Sequence, residues 1–316
     1  MGSRVRWGQC FLIDRDAALR IVEWAGIDGL DVVEIGPGRG ALTGLLRQRA
    51  TSLTLVEIDP EMAASLREQY ASDERTTVIE GDALRVDWVS RVSPGFTVVA
   101  NLPYESGTAI VASLLERRQL VREIVVMLQK EVVARLSAAP GSKVYGGLSV
   151  IVQMFADVER GLVVAPRSFR PRPRVESQMV RLRPLAAPRF DLGDEAEFRA
   201  VVHAAFGQRR KMLRNNLGRH VEARFGAGAC DRVLAAAGIA GDVRPEDLGL
   251  AEFAALTRAF VAERDVHAAR TGTGALPGGG DVRTGLPESA AASARPPVRK
   301  SRAGGRRKDS QGAGTS

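Results

Sequence analysis

The chain has 316 residues, 45% of them hydrophobic and 26% charged, with a formal net charge of +8 at pH 7, two cysteines and three histidines. No apolar run reaches the ~18 residues that a bilayer span requires, Cys10 and Cys230 lack metal-ligand spacing, and Met1–Gln9 carries arginines without an apolar h-region. Membrane insertion, secretion, a disulfide framework and a structural metal are thereby excluded as expectations, leaving a soluble cytoplasmic protein whose length suits a larger α/β domain with a smaller partner and whose charge suits an anionic ligand.

In chain order, Ala18, Ile21, Val22 and Ala25 space one face of a short helix that Asp14 can cap. Short apolar, β-branched runs follow at Leu30 to Ile35, Leu53 to Ile58, Thr76 to Ile79, Phe96 to Ala100 and Ile124 to Leu128. Helical stretches separate them at Ala41 to Arg49, Pro60 to Tyr70, Thr108 to Arg117 and Lys130 to Ala138, the second opened by Asp59-Pro60 as cap and first position. This alternation predicts an α/β fold with a doubly wound parallel sheet over residues 1–183. From 184 to 264 the pattern is helical only, at Glu195 to Phe206, Gln208 to Phe225, Ala229 to Ala237 and Leu250 to Arg264, with a polar break at residues 244–247 and an apolar stripe of Phe253, Leu256 and Phe260. Residues 265–316 carry nine Lys/Arg against four Asp/Glu and almost no large apolar side chains, so the reading is a disordered basic tail, with a net charge of only about +3 left to the folded part.

The chemistry concentrates where the apolar runs end. Val33 to Gly40 reads V-E-I-G-P-G-R-G, a strand-to-helix turn in which Gly36 and Gly38 let the backbone approach a ligand. Its spacing is not the dehydrogenase G-x-G-x-x-G. Glu57 ends the next run, where doubly wound nucleotide sites place a carboxylate on ribose hydroxyls, and Asp82 follows the third, where it can accept from an adenine amino group. A glycine loop and two ordered acids indicate S-adenosylmethionine or a dinucleotide. Asn101-Leu102-Pro103-Tyr104, directly after the fourth run, narrows the reaction. An exocyclic adenine nitrogen is a poor nucleophile because its lone pair is delocalised into the ring. The Asn101 side-chain oxygen and a backbone carbonyl near Leu102 can hold both of its hydrogens and favour a pyramidal nitrogen, while Pro103 stiffens the turn and Tyr104 stacks on the base. No dedicated base is needed, since the methylated ammonium loses its proton to water.

Two basic clusters point to RNA. Arg167, Arg170, Arg172 and Arg174 alternate with Phe169, Pro171 and Pro173, offering phosphate contacts beside a ring that can stack. Arg209, Arg210, Lys211 and Arg214 form the second cluster, with Asn215 and Asn216 beside it.

Taken with Gly8 to Leu12, Leu128 to Glu131, Tyr145 to Val150, Phe169 to Val175, Arg209 to Leu217 and Arg244 to Glu246, these motifs resemble the ribosomal RNA adenine dimethyltransferase family over about residues 8–262, its small-subunit branch most of all. The resemblance implies a Rossmann-like methyltransferase sheet with a small all-helical C-terminal domain, and S-adenosylmethionine as cofactor. It implies cofactor contacts at Leu12, Gly36, Glu57, Asp82 and Asn101, and target-adenine contacts at Asn101, Leu102, Tyr104 and Phe169. The implied reaction dimethylates N6 of two adjacent adenines near the 3′ end of 16S rRNA in a pre-ribosomal small subunit, with the enzyme acting as a monomer. Two positions depart from the family pattern: Cys10 replaces Asn or His near the methionine end of the cofactor site, and Glu105 replaces Asn after the tyrosine. Two alternatives share the fold: a 23S rRNA dimethyltransferase conferring antibiotic resistance, disfavoured by Asn101-Leu102, Lys130-Glu131 and the Arg209 to Leu217 block, and a non-catalytic assembly factor, disfavoured by the intact Asn101 to Tyr104 turn.

Overall fold

The computed structural model of the chain describes residues 10–208 and 210–272. The N-terminal part runs β1 (Phe11–Leu12), α1 (Arg15–Ala25), β2 (Asp31–Ile35), α2 (Thr43–Arg49), β3 (Ser52–Glu57), α3 (Pro60–Gln69) and β4 (Thr76–Glu80). It continues through α4 (Trp88–Arg91), β5 (Phe96–Asn101), α5 (Gly107–Glu116), β6 (Val121–Gln129), α6 (Lys130–Leu136), α7 (Gly147–Phe155), β7 (Ala156–Val164), β8 (Phe169–Arg170) and β9 (Ser177–Pro184). Four helices close the described chain: α8 (Glu195–Ala205), α9 (Leu213–Phe225), α10 (Ala229–Ala237) and α11 (Leu250–Thr271). The expected caps form: Asp14 accepts from the Ala17 N–H, and Asp59 accepts from Glu61 and Met62 with Pro60 as the first residue of α3.

Seven strands make one sheet in the order β4-β3-β2-β5-β6-β9-β7, while β1 and β8 pair separately. Helices cover both faces, so the central strands are buried on both sides and their side chains divide between two cores. Val98, Ala100, Ile124, Val126 and Leu128 join the core beneath α5. Val99, Val125 and Met127, one residue out of phase, join the core beneath α1 and α2. Each fully buried Leu, Ile or Val contributes roughly 1.5–3 kcal/mol, which makes a one-residue register slip prohibitive.

The sheet is mixed rather than wholly parallel: β2 to β6 run parallel, but β9 pairs antiparallel with both β6 and β7. The two extra strands were illegible because β9 reads S-Q-M-V-R-L-R-P and the edge strand β7 carries Asp157, Glu159 and Arg160, the charged composition by which edges resist further pairing. Their charges pair laterally, Arg183 of β9 meeting Glu159 of β7 at 2.8 Å and Arg181 of β9 meeting Glu123 of β6 at 2.6 Å.

The helical layer has its own core, in which Phe253, Leu256 and Phe260 of α11 are buried as their spacing predicts. That core also takes Val150, Ile151, Met154 and Phe155 from α7. Two boundaries differ from expectation. Helix α9 starts at Leu213, not Gln208, because Arg210 takes a left-handed φ of 69° and the Asn216 Nδ2 draws in the carbonyls of Ala205 (2.6 Å) and Gln208 (3.1 Å). Helix α11 continues to Thr271, seven residues past the expected end at Arg264, before Gly272 closes it in the left-handed region. The remainder of the expected tail, residues 273–316, lies outside the described residues, as do the Gly8 and Gln9 markers.

Candidate active site

The strand order reverses between β2 and β5, and a crevice opens at the carboxyl ends of strands around such a switch point. The chain leaves each strand there while still bonded to its neighbour. The Gly36 N–H donates to the Val56 carbonyl at 2.8 Å, Gly81 to Glu57 at 2.8 Å and Leu102 to Met127 at 3.3 Å. These bonds bring the glycine loop, Glu57, Asp82 and Asn101 to Tyr104, distant in sequence, to one level around a cavity of about 250 Å³.

The glycine loop and Glu57 are locked together. Gly36 and Gly38 adopt left-handed φ values of 66° and 56°, conformations that side chains with a Cβ rarely take. The Gly38 N–H donates to Glu57 Oε2 at 3.0 Å, and the Asp59 N–H to Oε1 at 3.0 Å. Glu57 is fully buried yet lines the cavity, and each oxygen retains a lone pair for a ligand hydroxyl. A Cβ on Gly38 would come within 3.1 Å of the Phe11 ring, so the glycine admits the N-terminal segment as well as a ligand. Asp82 also lines the cavity; its Oδ1 accepts from the Leu84 N–H at 2.9 Å, and Arg85 stands 3.9 Å from Oδ2.

Asn101 is oriented from across the cleft. Its Nδ2 donates to the Cys10 carbonyl at 3.1 Å. A carbonyl can only accept, so the amide nitrogen must face Cys10 and Oδ1 is left as an acceptor with no partner among the described residues. This contact uses the Cys10 backbone, which any residue supplies, while burial pushes the thiol itself above its ordinary range. Leu12, Leu102 and Pro103 give the cavity apolar and backbone surface, Leu102 being buried. Tyr104 lines the same wall with its hydroxyl 2.7 Å from Ser177 Oγ, and burial raises its ionisation range. The ring is therefore held from behind by β9.

Phe169 is placed elsewhere. It is 1% exposed, paired through β8 with Leu12, and packed in the core under α1 rather than on the cleft. Its place beside four arginines suggested an exposed stacking ring, whereas strand alternation turns Phe169 inward and Arg170 outward. Arg167, Arg170, Arg172 and Arg174 are exposed, and none has an acidic partner among the described residues. In the second cluster Arg210 and Lys211 are exposed, Arg214 pairs with Asp231 at 3.1 Å, and Arg209 lies outside the described residues.

Several cavity residues escaped the sequence reading of the site, Glu34, Arg39, Phe11 and Glu105 among them. Glu34 sits mid-strand in β2, 2% exposed, with Oε2 unpartnered. Burial pushes its carboxyl up to about 8, and the nearby Glu57 carboxylate adds to the shift. An acid inside an apolar strand was the signal that could have found it. Arg39 stacks over Phe11 with 4.8 Å to the ring centroid, and both line the cavity. Glu105, seen only as a departure from pattern, stands on the cavity wall with an exposed side chain.

Comparisons with known proteins agree with this geometry. Residues 2–255 match the family model described as ribosomal RNA adenine dimethylase. A protein named ribosomal RNA small subunit methyltransferase A from Geobacter sulfurreducens is 44% identical over 265 residues, covering 82% of this chain and 96% of its own. Its namesake from Leptothrix cholodnii is 44% identical over 261 residues, covering 81% and 91%. Among solved structures, a dimethyladenosine transferase from Plasmodium falciparum superposes with a TM-score of 0.68 at 25% identity, covering 80% of this chain and 98% of its own. The 23S rRNA methyltransferase ErmE superposes with a TM-score of 0.58 at 27% identity, covering 79% and 99%.

Proposed function

This chain belongs to the ribosomal RNA adenine dimethylase family and is an S-adenosylmethionine-dependent dimethyltransferase of 16S rRNA; from that premise we propose that its targets are the N6 groups of two adjacent adenines near the 3′ end, reached in a pre-ribosomal small subunit. The monomeric state and a cytoplasmic location belong to the same proposal; among the described residues no helix is long and apolar enough to cross a membrane. The observation that carries the chemistry is the Asn101 amide, whose orientation is dictated by the Cys10 carbonyl.

The residues present fit the cofactor. Glu57 offers buried acceptors to ribose hydroxyls, Asp82 an acceptor to the adenine amino group, and Gly36 and Gly38 leave the room that a Cβ would take. Leu12 supplies apolar contact, and Cys10 stands at the Asn101 side of the same cavity. When bound, the cofactor supplies an electrophilic methyl group. Asn101 Oδ1 and a backbone carbonyl of the Leu102 turn accept the two N6 hydrogens of the target adenine, and Tyr104 supports the base from one face. Pro103 restricts the turn, so the acceptors need not reorganise as charge develops on nitrogen. The proton lost after each transfer passes to water. The second transfer to the same adenine requires no change in these groups, since N6-methyladenine still presents a hydrogen to one acceptor.

Arg167, Arg170, Arg172 and Arg174, with Arg210 and Lys211, supply unpaired cations to the rRNA backbone. The 23S alternative is not favoured by the small-subunit relatives at 44% identity. The non-catalytic alternative leaves unexplained why Asn101 is oriented and its acceptor kept unpartnered. The decisive experiment incubates the protein with labelled cofactor and each unmodified ribosomal subunit, followed by mapping of the modified bases. Two adjacent dimethyladenines in 16S rRNA are the expected result; label in 23S rRNA, or none in either, refutes the reading.

A further inference from the structure

A second cavity, of about 450 Å³, opens in the helical layer far from the cleft motifs in sequence, between the loop after α8 and the outer face of α9. Its volume falls within the ~300–1,000 Å³ of sites that enclose small ligands. No residue of its lining is acidic. Asn216, 8% exposed, commits its Nδ2 to the carbonyls of Ala205 and Gln208, and its buried Oδ1 has no partner. His220 leaves its buried Nε2 unpartnered, with the ring stacked on Phe260 at 5.5 Å and 19° between planes. Burial and the nearby Arg224 hold that imidazole below its ordinary range, so it is neutral at pH 7. The side-chain amides of Gln208 and Asn215 are exposed and unbonded among the described residues.

The cations in this wall are unequal. Arg224 is spent on Glu197 through two bonds of 2.8 Å, whereas Arg219 is exposed and has no acidic partner among the described residues. A wall with one cation that lacks an acidic partner among the described residues and two exposed donor-acceptor amides does not suit a metal ion, which needs more ligand oxygens. A bare phosphate is also a poor fit, because it offers no donor to the amide oxygens of Gln208 and Asn215. A ligand carrying both an anionic group and a hydrogen-bonding edge suits the cation and the two exposed amides together. Unstacked nucleotides are such ligands, and RNA is read chiefly where its bases are splayed out.

We propose that this cavity takes one extruded nucleotide of the ribosomal RNA, its base edge on the amides of Gln208 and Asn215 and its phosphate on Arg219. The inference rests on the 16S rRNA reading, and it makes the helical layer a second anchor for the same RNA. Arg210 and Lys211, exposed on the loop that borders the cavity, would lie along the strand entering it.

The test places benzoylphenylalanine at Ala223, an exposed cavity residue, in the full chain and irradiates it with unmodified small ribosomal subunits. A crosslink to a 16S rRNA nucleotide is expected; a crosslink to ribosomal protein alone, or none, overturns the proposal. Ala223→Trp, which fills the cavity, and Arg219→Ala should each raise the subunit Kd about tenfold with an unchanged thermal midpoint. Arg219→Ala alone should also lower the salt slope of binding by about one. If wild-type protein methylates 16S rRNA but Ala223→Trp binds subunits as tightly as wild type, the cavity is not a nucleotide site. If wild-type protein methylates no small subunit, the functional reading itself has failed.

Discussion

The cleft and the helical layer are both rich in polar side chains, yet they treat them in opposite ways. At the cleft, Asn101 keeps Oδ1 unpartnered, Glu34 keeps a buried Oε2 unpartnered, and Glu57 is held only by backbone N–H groups. Among the helices, Arg224 is bidentate to Glu197, Arg264 reaches Asp194 at 2.9 Å and Glu197 at 3.4 Å, and Arg232 pairs with Glu263. A charged or polar residue is thus structural where the fold supplies a partner and available for a ligand where it withholds one. The exception inside the helical layer, the wall of Gln208, Asn215 and Arg219, stands out because it follows the rule of the cleft.

Asn101→Ala should give the largest effect, a fall in the single-turnover methylation rate of about 10²–10³-fold, the usual loss for one preorganised polar group. Its thermal midpoint should stay near wild type, since the lost bond to Cys10 is only part-buried. An unchanged rate would erase the contrast between the two regions.

Glu34→Gln probes the buried acid through stability. Folding raises this carboxyl from its usual 4.5 to about 8, so between those values the folded state holds a proton that the unfolded state has released. Wild-type stability should therefore fall as pH rises from 5 to 8, by on the order of a few kcal/mol, and flatten above 8. The glutamine variant should lack that slope in denaturant titrations. A shared slope would locate the titration elsewhere.

Reversing two free cations, Arg172→Glu with Arg174→Glu, should weaken subunit binding by roughly tenfold or more near 0.1 M salt and lower the salt slope by about two. Equal slopes would show that these exposed arginines do not meet phosphate. By contrast, Arg232→Ala removes a cation already paired with Glu263 and should cost less than about 1 kcal/mol. Because Arg232 holds the Glu263 carboxyl below its ordinary range, that contribution is present above about pH 4.5 and vanishes as pH falls through the depressed value. Deleting residues 273–316 should have the smallest effect, leaving methylation intact and weakening RNA binding only at low salt.

The inner parallel strands β2, β3, β5 and β6 and the caps of α1 and α3 were legible because burial on both faces demands continuous β-branched runs, and because Asp14 and Asp59 stand where orphan N–H groups need acceptors. Strands β7 and β9 were not, since an edge and its neighbour tolerate charge that local pattern cannot separate from loop. The site divides the same way. Glycines, Glu57, Asp82 and Asn101 declare themselves by standing at strand ends, whereas Glu34 shows only as an acid inside an apolar strand, and its burial is a tertiary fact. Phe169 shows the converse error: an aromatic among arginines suggested exposure, and pairing with Leu12 placed it in the core.

By itself, the order of residues along the chain determined which segments alternate, where the strands stop and which chemical groups stand at those stops, because periodicity and backbone satisfaction are local demands. Which arginines are free, which way the Asn101 amide points and whether an acid is buried are long-range facts. They depend on partners such as Cys10, 91 residues away from Asn101, and only tertiary structure brings such partners within reach.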